Sequence, residues 1–255
     1  MPWFLILIVT FISAFLIYSK RYTSDRKFFG IYFVQFYYLV IAAPIVGLCL
    51  INIGLDIVKN PEVININIPT DSLLSLYFLS ILVGVIGTAV HSVSTSQVEA
   101  LKRHIFLRAY SYNEEIHGPV SHEMLYLATV AVILLNGLLA VNHPNLVPFE
   151  PVIPFYTGAM LGLFLGLSVI LSTHVGLALI ATFFSALILL NVVTIFSLRL
   201  DNHPNLVFDL TVLIFMFCTI LLSVLLYFKS KKATKIMIKI IFPKGHPIHE
   251  TFSVF

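Results

Sequence analysis

Long uncharged stretches, each close to the length of one membrane crossing, alternate along this chain with short basic or turn-forming breaks. About 20 apolar residues are needed to cross a bilayer as a helix. Seven runs meet that length, at roughly 2–19, 30–53, 73–95, 121–141, 153–172, 176–197 and 207–228. Between Pro151 and Leu198 there is no Asp, Glu, Lys or Arg over 48 residues. That is too long for one helix at about 1.5 Å per residue, so a turn near Ser172, Thr173, His174 and Gly176 has to divide it. The pattern predicts an all-α fold: a polytopic transmembrane helix bundle of about seven spans over residues 1–228, followed by a basic interfacial tail over 229–255.

Composition agrees with that reading. The 255 residues are 59% hydrophobic and 11% charged, with a mean hydropathy of +0.99, whereas a soluble domain carries about 25% charged residues. Cys49 and Cys218 are the only cysteines, so a disulfide framework or a cysteine-built metal centre has no support. The formal net charge of +3 reports topology, not nucleic-acid binding. Thirteen of the 15 cations follow spans one, three and seven, and only Lys59 and Arg199 fall on the opposite side. Short loops rich in Lys and Arg stay on the side of synthesis, which predicts an outside N-terminus and an inside C-terminus. No secretory signal or transit peptide is evident.

The span interiors carry little ionisable chemistry. Asp71, Glu123 and Asp209 fall at span ends, leaving Gln35, Asn136, Asn191 and scattered hydroxyls at depth. Because intramembrane charges mark ion paths and proton relays, this inventory argues against a pump, an ion-coupled transporter or a voltage sensor. Asn136 and Asn191 are expected to hydrogen-bond between helices, and Gly158, Gly162 and Gly166 form a small-residue ladder suited to close helix approach.

Candidate chemistry therefore sits at the ends of the spans. The connection from Ser96 to Glu123 carries Glu115, His117, His122 and Glu123, all ligand types, but His122-Glu123 lacks the second His that an H-E-x-x-H zinc helix requires, since that position is Tyr126. Gly118-Pro119 is expected to break the helix here and Ser121 to cap the next one. His91 and His174 share a depth and could ligate a b-type haem; His91, His122 and His174 could instead hold zinc in a membrane metallo-hydrolase. On the other side Asn-His-Pro-Asn-Leu-Val occurs twice, at 142–147 and 202–207. Two similar turn-forming loops are the ordinary explanation, and a shared site joining His143 to His203 is the sharper one. The tail places Ile236, Met237, Ile238, Ile240 and Ile241 among cations, as expected of a segment lying on the membrane surface.

The succession of features resembles cytochrome c oxidase subunit III. It comprises His91 at a span end, the His117-Gly118-Pro119-Val120 loop, a span, an outer loop with Pro148, Glu150 and Pro154, a Gly- and Ser-rich span, a turn with His174, another span and a loop reaching Asp201. The likeness covers roughly residues 91–201. It implies a non-catalytic subunit of a respiratory terminal oxidase in the mitochondrial inner membrane, with a prokaryotic plasma membrane as the alternative. Such a subunit has no redox centre and no metal or cofactor of its own; it binds phospholipid and braces the catalytic subunit among other membrane subunits. The motif positions this points to are His117, Pro119, Val120, Asn136, Glu150, His174 and Asp201. Where the family has a membrane glutamate this chain has Asn136, so no carboxylate role carries over.

Overall fold

The computed structural model describes residues 2–19, 27–63, 66–101 and 108–143, with a few helical positions between 180 and 191. Its elements are α1 (Pro2–Ser19), a β1–β2 hairpin (Lys27–Phe28 and Ile31–Tyr32), α2 (Phe33–Tyr37), α3 (Ala43–Val58), α4 (Thr70–Leu101), α5 (Arg108–Glu115) and α6 (Ser121–Asn142). A π-helical turn, Tyr38–Ala42, joins α2 to α3, and a second, Ile116–Val120, joins α5 to α6. The helices Phe33–Val58, Thr70–Val98 and Arg108–Asn142 are each long and apolar enough to cross a membrane, and Leu5–Ile17 is a shorter apolar stretch within α1. These coincide with the first four runs of the sequence. The fifth and seventh runs and the tail lie outside the described residues, as does most of the sixth.

Both prolines inside these spans are accommodated by a π turn. Proline has no N–H, and its ring clashes with the carbonyl four residues back. For Pro44 that carbonyl belongs to Val40, within the first π turn; for Pro119, within the second, it belongs to Glu115. One extra residue in the turn moves the carbonyl away and lets the helix continue. The expected break at Gly118-Pro119 is thus corrected: α5, the π turn and α6 form one uninterrupted helix. Ser121 is likewise no N-cap. Its backbone is helical (φ −68°, ψ −38°), and its hydroxyl donates back to the His117 carbonyl.

The chain divides into two compact units. One contains Met1–Cys49 and Val85–His122. Here residues 27–32 form the hairpin, pairing Lys27 with Tyr32 and Phe28 with Ile31. Phe29 (φ 52°) and Gly30 (φ 79°) make its turn. Left-handed φ at both central residues is the I′ pattern that matches strand twist. The Lys27 ammonium lies 4.6 Å from the centre of the Tyr32 ring, while Phe29 projects at 93% exposure. Ser13 Oγ donates to the Thr10 carbonyl (2.9 Å), so the Tyr37 hydroxyl donates to Ser13 Oγ (2.6 Å); Tyr38 donates to the Ala14 carbonyl (2.9 Å). These bonds tie α1 to the start of the second span.

The other unit contains Leu50–Gly84 and the chain from Glu123 onward. Leu73, Tyr77 and Ile81, one helical turn apart on α4, pack against Val132, Leu135, Leu138 and Leu139 of α6, with Leu50, Ile51, Ile57 and Val58 of α3 alongside. Lipid offers apolar groups no incentive to associate, so close packing and hydrogen bonds must hold such helices together. Tyr77 supplies both. It is fully buried, its hydroxyl donates to the Leu50 carbonyl at 2.7 Å, and its ring lies against Gly54, where a side chain would collide with it.

Candidate functional site

Three histidines converge where α4 passes the π turn of the α5–α6 helix. The His91 ring lies 4.7 Å from that of His117 and 4.8 Å from that of His122, centre to centre, and the last two are 5.8 Å apart. In a regular α-helix, five residues turn a side chain by about 140°, which would point His117 and His122 apart. A π turn closes over five residues and returns them to the same side, facing His91.

Four hydrogen bonds fix two of the rings. The Thr95 hydroxyl donates to the His91 carbonyl (2.6 Å), and Ser121 donates to the His117 carbonyl. A hydroxyl has one proton, so each must act as acceptor toward the ring it also touches. Thr95 Oγ1 lies 3.0 Å from His117 Nδ1, and Ser121 Oγ lies 3.2 Å from His91 Nδ1. Ser94 commits its proton in the same way, to the carbonyls of Val90 (2.7 Å) and His91 (3.1 Å), and stands 3.4 Å from His117 Nδ1. Both rings therefore present Nδ1 as a donor toward these hydroxyls. Asn113, buried, donates to the Ser94 carbonyl at 3.0 Å and ties α5 to the same turn of α4.

A second polar cluster closes the connection between α3 and α4. His143 Nδ1 donates to the Asn60 carbonyl (2.8 Å), so its Nε2 accepts from the Thr70 hydroxyl (2.9 Å). Asn142 receives the Val63 N–H on its backbone carbonyl (3.0 Å) and the Ile66 N–H on Oδ1 (3.2 Å). The Asn142-His143 copy of the repeated hexapeptide is thus a loop latch whose ring nitrogens are both engaged within the chain. Its proposed partner His203 lies outside the described residues.

Of the positions singled out in the sequence, the structure brings together His91, His117 and His122. Pro119 and Val120 lie in the π turn between them. Asn136 is buried at 7% exposure, and its Oδ1 has no hydrogen-bond partner among the described residues. Asn191 donates to the Leu187 carbonyl of its own helix (2.8 Å). Glu150, His174 and Asp201 lie outside the described residues. Thr95, Ser94 and Asn113 escaped the sequence reading; a hydroxyl one turn after His91 was the available signal. Among the described residues no group of three or more His, Cys, Asp or Glu side chains is placed so that it could hold a metal ion. No family model matches the chain, and no curated protein or solved structure matches it either.

Proposed function

We propose that this chain is a non-catalytic accessory subunit of a multi-subunit membrane complex, of the kind represented by cytochrome c oxidase subunit III. The observation that supports this most directly is the chemistry of its interior. Among the described residues the buried polar side chains are hydroxyls, amides and one imidazole, with no Asp, Glu, Lys or Arg. Helices so furnished can pack against neighbouring chains and lipid, yet lack the buried charges through which pumps and relays work. The seven-span topology, the inside C-terminus and the mitochondrial inner membrane belong to the same proposal. Its test is extraction in mild detergent, followed by mass analysis and an absorption spectrum of the purified material. Copurification with haem-bearing oxidase subunits is expected; a stable, solitary chain would reject the assignment.

A further inference from the structure

We propose that the β1–β2 hairpin is a membrane anchor: Phe29, at its tip, inserts at the boundary between headgroups and acyl chains of an anionic phospholipid leaflet. The proposal rests on the membrane-spanning part of the reading above and is independent of the oxidase assignment.

The level of the hairpin follows from the helix it enters. Tyr32, the end of β2, leads directly into Phe33, where the apolar helix Phe33–Val58 begins. Its 26 residues rise about 39 Å at about 1.5 Å each, against about 30 Å of hydrocarbon and about 40–45 Å with both headgroup layers. Its first turn therefore belongs at headgroup level. The hairpin folds back along that turn, since the Phe28 ring lies 5.6 Å from that of Phe33 and 5.5 Å from that of Phe36, centre to centre, and the Phe29 ring 6.2 Å from that of Phe36. Phe29 is thus held at the membrane surface while 93% exposed.

The chemistry of the tip selects lipid as its occupant. Asn, Asp and Gly are the usual residues where a I′ turn demands left-handed φ, and a bulky side chain in that region is an outlier. Phe29 adopts it at φ 52° and turns its ring outward. In water such a ring is unfavourably placed, whereas at the acyl boundary its removal from water is stabilising. Charge points the same way. Residues 20–27 carry Lys20, Arg21, Arg26 and Lys27 against Asp25 alone, and the Lys27 ammonium is placed on the hairpin itself, 4.6 Å from the centre of the Tyr32 ring. An inserted apolar side chain beside basic residues is the combination by which interfacial segments hold to anionic leaflets.

The test uses the full chain reconstituted in vesicles of phosphatidylcholine and phosphatidylglycerol. Trp3, the only tryptophan, is removed as Trp3→Phe; Phe29→Trp then supplies an emitter at the tip, and Leu82→Trp, at 54% exposure within the helix Thr70–Val98, supplies one in mid-span. Each is quenched by spin labels near the top or the end of the acyl chains and by acrylamide in the water. The tip emitter should be blue-shifted, quenched most by the shallow label and only weakly by acrylamide. Labelled phosphatidylglycerol should quench it more than labelled phosphatidylcholine at equal mole fraction, a preference lost in a Lys20→Gln, Arg21→Gln, Arg26→Gln variant. Quenching of the tip by acrylamide alone, with Leu82→Trp still quenched by the deep label, would overturn the anchor and leave the spans intact. Protection from both lipid and acrylamide would also overturn it, because protein then covers the tip. Equal quenching by the two lipids would overturn the anionic preference, and failure of both emitters to respond to lipid would remove the membrane reading together with the anchor.

Discussion

Gly54→Ala should be among the most damaging single-methyl additions the chain can receive. A β-carbon built at Gly54 would lie 2.6 Å from Cε1 of Tyr77, 3.0 Å from Cδ1 and 3.2 Å from Cζ, whereas carbon atoms rest at about 3.5–4.0 Å. The ring must retreat by roughly 1 Å to restore that separation, and it is fully buried in the core that joins α3, α4 and α6. Forcing a methyl into a packed core costs about 1–3 kcal/mol. A retreat of that size also stretches the 2.7 Å bond from the Tyr77 hydroxyl to the Leu50 carbonyl beyond useful length, at about 1 kcal/mol more. The expected loss is about 2–4 kcal/mol, read as the unfolding midpoint in mixed micelles followed by far-UV circular dichroism. Gly84→Ala is the matched control: its new carbon meets only the Ala128 methyl, at 3.4 Å, and should be close to neutral. Adding Tyr77→Leu to Gly54→Ala removes the obstructing ring, so the double variant should lose less than the sum of the two single ones. If Gly54→Ala lies within about 0.5 kcal/mol of the parent, or if the two changes are additive, the collision does not govern packing here.

Other expectations follow from the latch, the π turn and the topology. His143→Ala removes the bonds to Asn60 and Thr70 and should cost about 1–3 kcal/mol, with faster amide exchange over residues 60–69; unchanged exchange there would show that the latch holds nothing. Deleting Gly118 in a Pro119→Ala background should restore a regular helix and turn His117 away from His122, shifting the His122 imidazole NMR signals while helix content is kept; unchanged signals would mean that the π turn does not bring the rings together. Tyr37→Phe should lower stability by about 0.5–1.5 kcal/mol through loss of the bond to Ser13, and a neutral result would remove that contact from the ties between α1 and α2. In a cysteine-free background, Lys59→Cys should be labelled from outside the membrane and Tyr112→Cys only from inside. The reverse pattern would invert the topology.

The spans were legible because membrane length and apolar continuity are properties of composition. The first four of the seven runs fall on α1, on α2 and α3, on α4 and on α6, and α4 continues past the third run to Leu101. Gly118-Pro119 misled because glycine and proline end helices in water, whereas a membrane helix favours local re-winding over exposing its backbone to lipid. The hairpin at 27–32 was missed since a two-residue strand leaves no alternation to read; Gly30 beside Phe29 was its sole mark. The histidines were visible as ligand types, and the proposed partner of His91, His174, lies outside the described residues. Which imidazoles meet depends on the one-residue offset within the π turn, and no periodicity announces that. The orienting roles of Thr95 and Ser121 were hidden for the same reason.

The reciprocal arrangement of Thr95 and Ser121 has a mechanical consequence. Each hydroxyl joins the carbonyl of one histidine to the imidazole of the other, so the two helices are buttoned at two places in opposite senses. Sliding one past the other by a single residue, about 1.5 Å, strains both fastenings together, because neither can lengthen to relieve its twin. Axial slippage at this level is therefore blocked until both fasteners open, and any rearrangement of α4 against its neighbour there should occur as an abrupt step.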